Sequence, residues 1–294
     1  MIVKFFANYD RSEDLLKRFK ANYEIYDDEL SFTIGDEYDY AVVFNSTTEG
    51  INAKAKIITV IQEPSWSPAH SNTAFLTDSD YLIIHDQQLF EDTYHIKLGK
   101  KVIEQPSYMF FHDNVDKSLF IENKSIQKPK KLSMIVSSLS FNIGNYTKRM
   151  KLLRSILSSD LDIDIYGKGF NISDQRYKGF VEYKHTALLP YEYSIAIENS
   201  NEKNYITEKF VDCAICNTIP IYCGAPNIAE VYNEKYFHTL DLDSPTIIED
   251  IKEIIKNPAP GQEMDNNKDR YFQQRNLYRL LKELINTDVL IRRP

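Results

Sequence analysis

The segment Tyr193 to Gly224, reading YSIAIENSNEKNYITEKFVDCAICNTIPIYCG, admits few local folds. Ser194-Ile195-Ala196-Ile197 is a short apolar run of the kind buried on both faces of a parallel sheet, and it breaks into the polar Glu198-Asn199-Ser200-Asn201. Asn204 is a candidate N-cap, Ile206, Phe210 and Ala214 recur at helical spacing, and Asn217 precedes a second apolar run, Ile219-Pro220-Ile221-Tyr222. Strand, polar turn, helix, strand is an α/β pattern, and side chains leaving the carboxyl end of such a strand point into a crevice. Glu208 and Lys209 fall in the helix's first turn, where unpaired backbone N–H groups and the positive dipole end favour a phosphate. Lys209 adds a full charge, so the layout implies a nucleotide-like ligand.

The same alternation extends along the chain. Ile2 to Phe6, a helical Glu13 to Phe19, Tyr40 to Phe44, Lys56 to Ile61 and Tyr81 to Ile84 have the rhythm of a parallel sheet. Lys117 to Lys131 is richer in charge, holds Pro129 between lysines and reads as a linker. A second series follows: Leu132 to Val136, a helix near Tyr146 to Leu157, the strand Ile163 to Tyr166, then the opening segment. Beyond it come a short helix Pro226 to Tyr232 with Pro at its start, the run Phe237 to Leu242, and a helix Ile247 to Ile255 stopped by Pro258-Ala259-Pro260-Gly261. A last helix, about Asn267 to Ile285, sets Tyr271, Tyr278, Leu281 and Ile285 on one face and Arg270, Arg275, Arg279 and Lys282 elsewhere, where solvent takes them. A chain of 294 residues suits two domains of roughly 130 residues each. The expected division is 1–128, 129–265 and a C-terminal helix at 266–294 packing back across them.

A net charge of −8 argues against nucleic acid as a partner, since that binding rests on Lys and Arg neutralising phosphates. Nothing at MIVKFFANYDRSED resembles a signal peptide and no apolar run reaches the ~20 residues of a membrane span, so a soluble, cytoplasmic protein is expected. The basic last helix leaves room only for weak peripheral membrane association. Cys213 and Cys216 form a C-x-x-C with no fourth ligand near in sequence, and read as packed thiols rather than a zinc site. Asp162 and Asp164 spell D-x-D, but Asp162-Ile163-Asp164-Ile165 alternates as a half-buried strand does.

Two further charged residues stand where strand ends and helix starts of an α/β protein meet a ligand crevice. Asn145 precedes a helix that carries Arg149 in its early turns, where a guanidinium can grip phosphate oxygens bidentately; by pattern alone, among Lys148, Lys151 and Arg154, it reads as a surface residue. Glu63 leaves the strand Lys56 to Ile61 in Gln62-Glu63-Pro64-Ser65-Trp66, with Pro64 stiffening the backbone and Trp66 offering an apolar wall. A Glu-Pro strand exit is equally a structural feature.

The run AIENSNEKNYITEKFVDC, with TIPIYCG after it, closely resembles the signature of glycosyltransferase family 10, the α1,3/4-fucosyltransferases, whose pattern reads approximately FENS, YITEK, a helix, then PVVxG. It departs at Ile197, often Phe in the family, and at Cys223, where a bacterial member carries Trp. VSSLSFNIGNYTKR is similar to the family segment whose Arg contacts the pyrophosphate, which assigns Arg149 that role. The resemblance implies two Rossmann-like α/β domains facing a cleft, the GT-B fold, in a soluble bacterial or viral type of member. It further implies an inverting α1,3-fucosyltransferase-like enzyme that moves L-fucose from GDP-fucose to a hydroxyl of an N-acetylglucosamine-containing glycan. Asn199, Tyr205, Glu208, Lys209 and Arg149 then form the GDP-sugar site and Glu63 is the general base, its loose Q-E-P-S-W match being followed by Asp80-Tyr81 and a strand as in the family. No metal is required with two cations on the diphosphate, though Mn²⁺ or Mg²⁺ can stimulate. None of these residues reads the 6-methyl group of fucose, so a GT-B transferase for another nucleotide sugar, or a non-catalytic nucleotide-sugar or glycan-binding protein, stands as the alternative.

Overall fold

The computed structural model describes residues 1–23, 25–99, 101–108, 127–256, 268 and 275–292. The chain divides into two compact units, one of residues 1–115 with 272–294 and one of residues 116–271. Each is built on a six-stranded sheet whose described pairings are all parallel.

In the first unit β1 (Ile2–Ala7), β2 (Ser31–Phe32), β3 (Tyr40–Phe44), β4 (Lys56–Val60), β5 (Tyr81–Ile84) and β6 (Val102–Glu104) lie in the order β2-β1-β3-β4-β5-β6. The helices α1 (Ser12–Asn22), α2 (Ala74–Thr77) and α3 (Gln87–Tyr94) connect them. The apolar runs expected as strands are β1, β3, β4 and β5, and every residue of β3 is buried, as a strand covered on both faces requires. β2 and β6, two and three residues long on the sheet edges, are too short to show a period. Chain order reverses between β1 and β3, and the loop leaving neighbouring β4 holds Glu63.

The helix Leu277–Arg292 also belongs to this unit, with Leu277, Tyr278, Leu281 and Ile285 buried. The Pro258 to Gly261 stop, Arg270 and Tyr271 lie outside the described residues, as do positions 117–126 of the expected linker. The basic side chains are not merely solvated. Lys282 pairs with Asp27 and, at 2.7 Å, with Glu29, while Arg275 donates to the Ser107 carbonyl at 3.2 Å. Buried Asp288 accepts hydroxyl bonds from Tyr40 at 2.9 Å and Tyr81 at 3.1 Å and pairs with Lys56.

The second unit holds β7 (Lys130–Ile135), β8 (Asp164–Tyr166), β9 (Tyr177–Gly179), β10 (Tyr191–Ile197), β11 (Ile219–Cys223) and β12 (His238–Thr239), in the order β12-β11-β10-β7-β8-β9. β10, β11 and β12 run out to one side of β7 and β8 and β9 to the other, a Rossmann-like order whose reversal opens a crevice at the carboxyl ends of β7 and β10. Its helices are α4 (Tyr146–Leu157), α5 (Glu208–Ile215), α6 (Ile228–Val231) and α7 (Ile247–Lys256). β10 pairs with β7 on one edge and β11 on the other, and Tyr193, Ile195 and Ile197 join Leu132, Met134, Ile219 and Ile221 in one core. Two expectations need correction. α6 starts at Ile228 with Asn227 at its N-cap, leaving Pro226 outside, and only His238–Thr239 of the run Phe237 to Leu242 is strand. Among the described residues no helix is long and apolar enough to cross a membrane.

Candidate functional site

The start of α5 differs from the sequence expectation in one residue. Asn204 is not the N-cap: its backbone is left-handed at φ 59°, and it is joined to Asn227 by two 2.8 Å bonds. Thr207 caps instead, its hydroxyl accepting from the Lys209 amide at 3.4 Å. Glu208 and Lys209 therefore occupy the first two helical positions.

Glu198, the first residue after β10, is wholly buried and organises this helix start. Its carboxylate accepts from the Thr207 amide at 2.7 Å and the Thr207 hydroxyl at 2.5 Å, and it lies 3.7 Å from the Lys209 ammonium. Lys209 also meets Glu208 at 3.1 Å, and Lys184 reaches Asp212 at 2.9 Å and Glu208 at 3.7 Å. Three carboxylates thus surround two ammonium groups. Burial pushes Glu198 and Asp212 each up to about 7. Burial also acts on Glu208, but Lys209 and Lys184 override it and hold that carboxyl well below its usual range. Lys209 is raised, since Glu208 and Glu198 outweigh its desolvation.

Arg149 lies in the first turns of α4 and is 5 % exposed, a burial that lowers its pKa. One guanidinium nitrogen donates to Asn199 Oδ1 at 3.3 Å and another to the Leu139 carbonyl at 3.5 Å, the group sits 4.8 Å from the Tyr146 ring centre, and Nε is buried without a partner. A buried guanidinium with an open donor, hydrogen-bonded among the described residues to an amide oxygen and a carbonyl but to no carboxylate, calls for an anion. Asn145 fastens α4 to the end of β10: its amide N–H donates to the Asn199 carbonyl at 2.9 Å and its side chain to the Glu198 carbonyl at 3.1 Å.

A cavity of about 340 Å³ opens beside these groups, between the carboxyl ends of β7, β8 and β10 and the first turns of α5. Arg149, Glu208 and Lys209 line it, together with Lys184 and Asp212, whereas Asn199 stands behind Arg149 and Tyr205 is buried at 1 % exposure. Gly167 lets β8 exit against β7, for a side chain there would meet the Val136 carbonyl oxygen at 1.6 Å. Glu63 lies in the other unit, half-buried, in a loop fixed by Asn45 Oδ1, which accepts from the Gln62 and Glu63 amides at 2.7 and 3.1 Å. Glu198, Asp212 and Lys184 were not among the sequence candidates. Asp212 follows Glu208 by one helical turn, a spacing that could have revealed it.

Cys213 and Cys216 are buried free thiols, both pushed up by burial. Asp164 of the D-x-D is tied to Lys130 at 2.8 Å and Lys178 at 3.1 Å, and among the described residues no three metal-ligating side chains cluster.

Two predictions arise from this cluster. A side chain at Gly224 would lie 2.4 Å from Glu198 Cγ and 2.2 Å from the Tyr222 hydroxyl oxygen. Gly224→Ala is expected to destabilise the chain by about 2 kcal/mol in urea unfolding, the usual scale of overpacking; an unchanged midpoint would show that the strand end yields freely. The second concerns pH. Glu198, beside Lys209, binds a proton up to about pH 7, and a bound diphosphate raises its proton affinity further, so binding takes up a proton and weakens as pH rises through 7. The affinity for a nucleotide-sugar ligand, whose doubly esterified diphosphate does not itself titrate there, is expected to fall about threefold or more from pH 6 to pH 8, and Glu198→Gln to flatten the slope. Titration calorimetry at the two pH values reads both; a rise in affinity would reverse the sign and contradict it.

The sequence pattern of glycosyltransferase family 10 (fucosyltransferase), C-terminal part, matches residues 125–290. A fucosyltransferase-like protein of Arabidopsis thaliana is 30% identical over 135 residues, 45% of this chain and 25% of its own length. The alpha-(1,3)-fucosyltransferase FucT of Helicobacter pylori is 39% identical over 57 residues, 19% of this chain and 12% of its own. The Drosophila melanogaster glycoprotein 3-alpha-L-fucosyltransferase A is 32% identical over 139 residues, 45% and 26%. The matched part of the chain thus spans about a quarter or less of these relatives. Among solved structures, an alpha1,3-fucosyltransferase superposes with a TM-score of 0.52 at 16% identity, covering 92% of this chain and 82% of that one. A variant of S. aureus TarM does so with 0.53 at 12% identity, covering 84% and 55%. These likenesses carry the fold, two parallel-sheet Rossmann-like units of the GT-B kind. Since the family pattern covers more than half of its 294 residues and ends on the helix that closes the first unit, the chain belongs to glycosyltransferase family 10.

Proposed function

We propose that this chain transfers L-fucose from GDP-fucose to a hydroxyl of an N-acetylglucosamine-containing glycan, with inversion at the sugar's C1. The observation that carries the reading is a cavity lined by both Arg149 and Lys209 beside a helix N-terminus. The leaving diphosphate accumulates negative charge as the C1–oxygen bond breaks, and two cations with oriented N–H groups stabilise it without moving. Glu208 accepts hydrogen bonds from ribose hydroxyls and Asn199 steadies Arg149, while Tyr205, buried and outside the cavity lining, supports the site only from within the core. Glu63 takes the proton of the acceptor hydroxyl as that oxygen bonds to C1 from the face opposite GDP, so one C–O bond forms, one breaks and GDP leaves. The transfer needs no metal, and Mn²⁺ or Mg²⁺ adds at most further screening of the diphosphate.

The test offers GDP-fucose, GDP-mannose, UDP-sugars and ADP-sugars to the full chain with N-acetyllactosamine, and reads product by mass and by its anomeric proton signal. An α-linked fucosyl product formed from the β-linked donor is expected. A faster reaction with a UDP- or ADP-sugar, or a product of retained configuration, would overturn the proposal.

A further inference from the structure

We infer that the nucleobase of the nucleotide sugar enters the cavity beside α5, its face against Phe180 and its hydrogen-bonding edge on the Asp212–Lys184 pair, an inference that rests on the donor site proposed above. Three observations converge. Phe180, just after β9, lines the cavity yet is 66% exposed, an aromatic face held open where a flat ring can stack. Ile135, Leu188 and Ile195 form apolar lining. Asp212 is 2% exposed, and while Oδ2 is paired with Lys184 at 2.9 Å, Oδ1 is buried without a hydrogen bond. A buried carboxylate oxygen without a donor is costly, and on the lining of a cavity its missing donor is one a ligand brings.

The order of donor and acceptor restricts which base fits. Guanine presents a ring N–H between an amine and a carbonyl oxygen, so its two donors meet Asp212 while the Lys184 ammonium favours its carbonyl. Uracil offers one N–H and the same neighbouring carbonyl. Adenine presents a ring nitrogen lone pair where the N–H should be, and that lone pair would face a carboxylate oxygen. Base selectivity therefore follows from Asp212, separately from the diphosphate grip of Arg149 and Lys209.

The experiment is calorimetric titration of the full chain with GDP, UDP, ADP and, as a base-free probe, pyrophosphate. Wild type is expected to bind GDP about 100-fold or more tightly than ADP, because a site built around a buried acceptor rejects the analogue lacking the donor. In Asp212→Asn, whose amide can serve either edge, GDP should weaken about tenfold with ADP no weaker and pyrophosphate unchanged. Phe180→Ala, at an exposed position, tests the stacking independently of any effect of Asp212 on folding, with an expected loss of about tenfold for every nucleotide and none for pyrophosphate. Wild-type GDP-to-ADP ratios in Asp212→Asn and wild-type affinities in Phe180→Ala would overturn the inference. So would a loss of pyrophosphate affinity in Asp212→Asn as large as the loss for GDP, since Asp212 would then act on the diphosphate through Lys184. The underlying donor-site proposal fails differently: wild type would then bind neither GDP nor pyrophosphate, and both readings would fall together.

Discussion

Glu63→Gln is expected to lower kcat for fucosyl transfer by about 10²- to 10⁴-fold, the contribution a positioned general base makes, while GDP affinity stays at the wild-type value. The substitution keeps shape and removes only proton affinity. The loop that presents Glu63 is firmly held. Asn45 adopts a left-handed φ of 60° so that its side-chain oxygen can cap two successive amides, the His70 ring nitrogen lies 3.2 Å from the Glu63 carbonyl, and Tyr94 donates to the Ser65 carbonyl at 2.6 Å. Such a loop loses little when one oxygen becomes an amide nitrogen, so a defect in transfer would be chemical. Steady-state kinetics with saturating donor and acceptor measures it, and a variant turning over near the wild-type rate would remove Glu63 from the role of base.

Lys209→Ala is expected to weaken GDP binding by about 100-fold, the scale of a charge-assisted contact to a partly desolvated diphosphate. The loss has two sources. One is the missing ammonium. The other is that Glu198 and Glu208, which flank Lys209 at 3.7 and 3.1 Å, would then face the diphosphate with Lys184 as the remaining nearby ammonium. Lys209→Arg retains charge but cannot hold the same bond to the Thr207 hydroxyl, now 3.2 Å long, so partial rescue is expected. Calorimetric titration reads both variants, and unchanged affinity in Lys209→Ala would place the diphosphate elsewhere.

The parts of the fold legible in the sequence were those with a long period or a continuous apolar run. Tyr40–Phe44 announced itself as a buried parallel strand, Ser194 to Ile197 marked the carboxyl-terminal part of the longer Tyr191–Ile197, and α4 has the bounds Tyr146–Leu157 that its pattern implied. The edge strands β2, β6 and β9, two or three residues long, carry no period and were invisible, whereas β12 falls within the apolar run Phe237 to Leu242. The α5 N-cap was misassigned because Asn204 is as good a cap by type as Thr207; only its pairing with Asn227 across the sequence decides between them. In the site, Arg149, Glu208 and Lys209 were recognised by their motifs and line one cavity. Glu198 was read simply as the polar end of a strand, since no local pattern reveals that a carboxylate is wholly buried and bonded to a threonine nine residues on. Lys184 reaches Asp212 from a separate segment ahead of β10, a juxtaposition set by the tertiary fold.

A diphosphate seated at the start of α5 must order the backbone around it, and hydrogen–deuterium exchange of the full chain with and without saturating GDP reads that directly. Slowed exchange is expected in peptides covering residues 137–149 and 199–210, where Arg149, Asn199 and Lys209 converge. Unchanged exchange in both segments at saturating GDP, with protection appearing only elsewhere in the chain, would contradict the assignment of the nucleotide-sugar site.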